Sequence, residues 1–87
     1  MKIKDGYLLR EVAGNYIVVA VGEAVKEFNG VINLNETGAF LWKILQEGAT
    51  EEQLLNALLE EYEVEKELAE KDVKAFVAKL TEAKLIK

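Results

Sequence analysis

The 87-residue sequence contains no cysteine, no histidine, no serine and no proline. Without cysteine there are no disulfides, no thiolate nucleophile and no sulfur-ligated zinc, so packing alone must hold the fold. Without histidine or serine, the nucleophile and base pairs of acyl transfer cannot be assembled. The chain is therefore expected not to be an enzyme and to carry no cofactor or metal. Proline-rich linkers, internal repeats and low-complexity segments are missing, which predicts one domain over residues 1–87. No apolar run approaches the roughly 18–20 residues needed to span a bilayer, and Met1–Tyr7 lacks the apolar stretch of a secretory signal. A cytoplasmic protein with no membrane partner is the expectation. Positive charge is also short: 11 Lys and Arg stand against 16 Asp and Glu, a net charge of −5 that repels a phosphate backbone.

Hydrophobic residues make up 51% of the chain, enough to build a core. The first third is rich in β-branched and aromatic residues. Tyr7–Ala13 and Tyr16–Val21, separated by Gly14-Asn15, read as a hairpin. Ile17-Val18-Val19 runs without a polar break, which predicts a central strand covered on both faces for part of its length. After a looser Gly22–Gly30 connection, Val31–Leu34 reads as a short third strand with Ile32 and Leu34 on one face and Val31 and Asn33 on the other.

From residue 35 the period becomes helical. Asn35 is placed to cap a helix with Phe40, Leu41, Ile44 and Leu45 on its apolar stripe, ending at Gly48. Thr50 and Gln53 form a capping box for a second helix with Leu54, Leu55, Leu58, Leu59 and Tyr62 inward. A third helix, from about Glu65 to Lys84, places Leu68, Val73, Phe76, Val77 and Leu80 on its apolar side. Glu67/Lys71 and Glu70/Lys74 are spaced as stabilising pairs. The fold class is α+β: a three-stranded antiparallel sheet followed by three helices, winged helix-turn-helix-like, with the helices over one sheet face. Trp42, beside Leu41, is expected to pack inside; an exposed position would instead mark a contact surface.

A helix-turn-helix raises the alternative of a DNA-binding transcriptional regulator. Its charges argue otherwise. Between Ile44 and Val64 there are six acidic residues and no Lys or Arg, and the third helix interleaves lysines with acids and has no arginine. No nucleic acid partner is expected. Adjacent carboxylates such as Glu51/Glu52 and Glu60/Glu61 diverge on a helix, and the glycines do not cluster into a phosphate cradle. The third strand is more informative, because it pairs on one side only. Val31–Leu34 contains neither lysine nor proline to guard its free edge. An extended peptide can add there, and so can a second copy of the chain, leaving monomer and dimer both open and a dimerisation module as a further alternative.

Leu34-Asn35-Glu36-Thr37-Gly38-Ala39-Phe40-Leu41-Trp42, then Leu45, Gly48 and Thr50, then Asp72-Val73-Lys74-Ala75-Phe76-Val77-Ala78-Lys79-Leu80, resemble the PqqD family. These are small recognition elements of ribosomally made, post-translationally modified peptides. The resemblance spans residues 7–87. It implies a non-catalytic module that holds the leader segment of a precursor peptide as an added strand and presents it to a modifying enzyme, often a radical S-adenosylmethionine protein. Carried over residue by residue, it implies a peptide groove of Val31, Ile32, Asn33 and Leu34 with Asp72, Val73, Phe76, Val77 and Leu80. Since Val73, Phe76, Val77 and Leu80 share one stripe, one or two of them are expected to touch peptide and the rest to be core. Two departures stand out. Lys84 replaces the glycine that ends the last helix in many relatives, so this helix is expected to run on, and the long Gly22–Gly30 connection is placed to shield the strand edge.

Overall fold

In the computed structural model, which describes residues 1–28 and 30–87, strands β1 (Tyr7–Val12) and β2 (Asn15–Ala20) are antiparallel. Their two-residue connection is Ala13-Gly14, at φ 51° and 83°. Two successive left-handed residues are what a type I′ hairpin requires, and its twist matches the strands it joins. The turn thus lies one residue earlier than Gly14-Asn15 predicts, because the strand partners Val12 and Asn15 close the ladder. Strand β3 (Val31–Leu34) pairs antiparallel with β2, giving the sheet order β1-β2-β3.

The sheet's inner face carries Tyr7, Val18 and Ile32, all buried. Its outer face carries the cross-strand row Leu8, Val19 and Val31, of which Leu8 and Val31 are exposed. Coverage of β2 on both faces is not observed. The helices lie on one side, so Ile17 and Val19 stay only partly buried. The β2–β3 connection holds a 3₁₀ turn (Gly22–Lys26), and Phe28 meets Tyr7 edge-on at 5.9 Å. The described part of this segment therefore packs toward β1, away from the free edge of β3; Asn29, within it, lies outside the described residues.

Helix α1 (Glu36–Glu47) starts where the Gly38 N–H donates to Asn35 Oδ1 at 2.7 Å and stops at Gly48, φ 97°. Helix α2 (Glu51–Glu61) opens with the complete Thr50–Gln53 capping box. Helix α3 (Lys66–Glu82) packs on α2. Leu41, Trp42, Leu45, Leu54 and Leu80 are fully shielded, so Trp42 is core. Among the described residues its indole N–H finds no acceptor.

Three expectations for α3 are corrected. Leu68 is 51% exposed, and Ala69, one position on, takes the inward place because it stands four residues before Val73 on the stripe that continues through Phe76 and Leu80. Neither Glu67/Lys71 nor Glu70/Lys74 closes to an ion pair; among the described residues only Lys26–Glu23 and Lys87–Asp5 do. On an exposed face such contacts gain too little to fix long side chains. Nor does the helix run on. Ala83 caps it and Lys84 turns left-handed at φ 61°. The Lys84 N–H then donates to the Thr81 carbonyl and the Leu85 N–H to the Leu80 carbonyl, the paired bonds of a Schellman stop formed with lysine in the glycine position.

Beyond that stop, Ile3 and Ile86 form an antiparallel bridge. The Lys4 N–H donates to the Leu85 carbonyl and the Lys87 N–H to the Lys2 carbonyl. Ile3 and Leu85 are both buried in the core. No helix among the described residues is long and apolar enough to cross a membrane.

Candidate functional site

The hairpin geometry decides which way β3 presents its backbone. In a two-residue hairpin the closing pair, here Val12 and Asn15, exchanges hydrogen bonds, and bonding sides alternate along each strand from there. Asn15, Ile17 and Val19 therefore bond toward β1, while Tyr16 and Val18 bond toward β3. Their partners Leu34 and Ile32 complete that ladder, which turns the N–H and C=O groups of Val31 and Asn33 outward to the free edge. An independent contact agrees: the Asn33 carbonyl accepts from Lys79 Nζ on α3 at 2.8 Å. Among the described residues no strand pairs with this edge.

Beside the edge runs a groove of about 220 Å³. Asn33, Leu34 and Asn35 form one wall, α1 contributes Thr37, Gly38 and Leu41, and α3 contributes Asp72, Ala75, Phe76 and Lys79. The α3 residues recur at the spacing of one helix face. Gly38 keeps the corner open, since a Cβ there would stand 3.2 Å from Asn35 Oδ1 and 3.3 Å from Leu34 Cβ. The groove floor is apolar where Phe76 and Leu41 are buried, and its rim is charged at Asp72 and Lys79. Among the described residues no cluster of metal-ligating side chains occurs.

Of the residues predicted for a peptide groove, Asn33, Leu34, Asp72 and Phe76 come together here. Val31 stands 54% exposed on the same edge, outside the groove wall. Ile32 and Leu80 are buried in the core, and Val77 packs against it. Val73 is buried toward α2, beside a second depression that includes Leu55 and Glu70. Sequence reasoning passed over Asn35, Thr37, Gly38, Leu41, Ala75 and Lys79. The signal for the last two was present: steps of three and four from Asp72 reach Ala75, Phe76 and Lys79, but the apolar stripe drew attention to the neighbouring face.

Residues 8–86 match the family model described as Coenzyme PQQ synthesis protein D (PqqD). The chain belongs to the PqqD family. Two solved structures share the fold. TbiB1, in complex with the TbiA(beta) leader peptide, superposes with a TM-score of 0.76 at 23% identity, covering 100% of this chain and 95% of that one. A lasso peptide synthetase B1, complexed with the leader peptide, gives a TM-score of 0.70 at 25% identity over 93% and 89% of the two chains. No curated protein shows significant sequence similarity. The family match covers every residue of this PqqD-family chain that lines the groove, from Asn33 to Lys79.

Proposed function

We propose that this PqqD-family chain binds the leader segment of a ribosomally made precursor peptide in the cytoplasm and presents it to a modifying enzyme, a radical S-adenosylmethionine protein. It catalyses no step itself and uses no cofactor. The leader adds as a fourth strand to β3, with alternate side chains turned into the groove against α3. One observation carries this reading: the outward backbone groups of Val31 and Asn33 lie beside an apolar-floored groove. The family membership and the peptide complexes of the two structural neighbours support it.

The energetics suit a partner that must be handed on. Up to four backbone hydrogen bonds, to the outward groups of Val31 and Asn33, at about 0.5–1.5 kcal/mol each, with two or three anchoring side chains at about 1.5–3 kcal/mol, oppose an ordering term of about 2–5 kcal/mol and the loss of overall freedom. The balance lies near micromolar affinity.

Titration of the cognate precursor peptide into isotope-labelled protein tests the proposal. The Val31 and Asn33 amides, with those of Ala75, Phe76 and Lys79, are expected to shift together. Shifts confined to α2 would overturn it.

A further inference from the structure

Asp72 and Lys79 stand at opposite ends of the α3 face that borders the groove, with Ala75 and Phe76 between them. Among the described residues Asp72 enters no salt bridge. Lys79 uses its ammonium on the Asn33 carbonyl, an acceptor that an added strand also needs, and a lysine has two further N–H donors to place. Seven helical steps separate the two charged residues by about 10.5 Å along the axis. Side chains on one face of a strand recur every 6–7 Å or so, and three such positions span about 13–14 Å. The reach of a lysine side chain covers the difference.

We infer that this groove reads charge order, selecting a peptide that sets a basic side chain beside Asp72, an apolar one over Ala75 and Phe76, and an acidic one beside Lys79, at three alternate strand positions. The inference deepens the strand-addition reading and rests on it. An incoming N–H takes the Asn33 carbonyl and displaces the ammonium, which then requires an anionic partner at that end of the groove. A peptide with its charges reversed meets Asp72 with a carboxylate and Lys79 with an ammonium, and is disfavoured at both ends.

The test is selection of a displayed random dodecapeptide library on the wild-type chain and on a doubly reversed variant, Asp72→Lys with Lys79→Glu. The wild type is expected to enrich peptides with basic, apolar and acidic residues at alternate positions in one order, and the variant the opposite order. The same charge order from both, or no charge preference, overturns the inference. The single variants Asp72→Asn and Lys79→Met keep the test open if the double variant does not fold. Each should weaken a wild-type-selected peptide about two- to fivefold, an effect that shrinks with added salt; unchanged affinity in both overturns it equally. If no enriched peptide shifts the Val31 and Asn33 amides, strand addition itself fails and this inference falls with it.

Discussion

Lys79 and Asn33, 46 residues apart in sequence, are joined by a 2.8 Å hydrogen bond from the lysine ammonium to the asparagine carbonyl. Exposed sheet edges are commonly guarded by a lysine. Here the guard comes from helix α3 and not from the strand, which explains why Val31–Leu34 contains none. It blocks one outward acceptor while the groups of Val31 stay open, so the edge is discouraged from casual pairing without being closed.

Val31→Pro removes an outward N–H and leaves the β2–β3 ladder intact, because the bonds to β2 belong to Ile32 and Leu34. Val31 is the exposed first residue of its strand, so the melting temperature should hardly move. Peptide affinity should fall about three- to tenfold, measured by calorimetric titration, for the loss of one backbone bond. Retained affinity in a folded variant counts against strand addition.

Ala13 and Lys84 both occupy left-handed backbone, at φ 51° and 61°. That conformation costs an ordinary residue about 1–2 kcal/mol. Ala13→Asn supplies the Asn-Gly pair that type I′ hairpins favour, and Lys84→Gly supplies the usual Schellman residue. After allowance for glycine's added freedom in the unfolded chain, each should stabilise by about 0.5–1 kcal/mol. Thermal melts should rise by about 2–8 °C per substitution.

Leu85→Ala tests the tie between the two ends of the chain. The side chain is fully buried, and its removal should destabilise by about 2–5 kcal/mol. In urea the midpoint should drop while the slope stays constant, the signature of lost stability without a change in the unfolded state.

Tyr62 predicts a pH effect. Its ring meets Phe40 edge-on at 5.5 Å, and its partial burial raises the phenol pKa above 10.0, with smaller contributions from Glu36, Glu61 and Tyr16. The folded chain thus keeps a proton that the unfolded chain has lost, and stability declines as pH climbs from the unfolded value through the folded one. Denaturation midpoints of Tyr62→Phe should decline less steeply above pH 10.0 than those of the wild type.

Legibility in the sequence followed the range of the interactions. Asn35, Thr50 and Gln53 act within one helical turn, and both caps form as their spacing predicts. Ile32 and Leu34 turn inward because strand alternation is equally local. What needed the third dimension was missed. The Ile3–Ile86 bridge joins opposite ends of the chain, and no periodicity announces it. Ala69, Val73, Phe76 and Leu80 recur at steps of four, three and four, which sets Ala69 on the buried stripe of α3 and Leu68 about 100° round from it; the leucine's size, not its spacing, made it look like the inward residue. The groove was half visible: Asp72 and Phe76 were identified, whereas Lys79 emerges only once α3 is set beside β3. Lys84 shows sequence pattern giving way to tertiary demand, since docking Leu85 fixes the end of the helix even with a residue poorly suited to the turn.

The Lys2–Lys4 and Leu85–Lys87 segments, held side by side, make the fold nearly circular. A short linker between them would close the circuit, and the backbone can then be opened at Ala13-Gly14, an exposed hairpin tip, to give permuted chains. For the same reason the whole unit can be spliced into a surface loop of a larger protein, entering and leaving through one narrow gap and carrying its β3 margin intact.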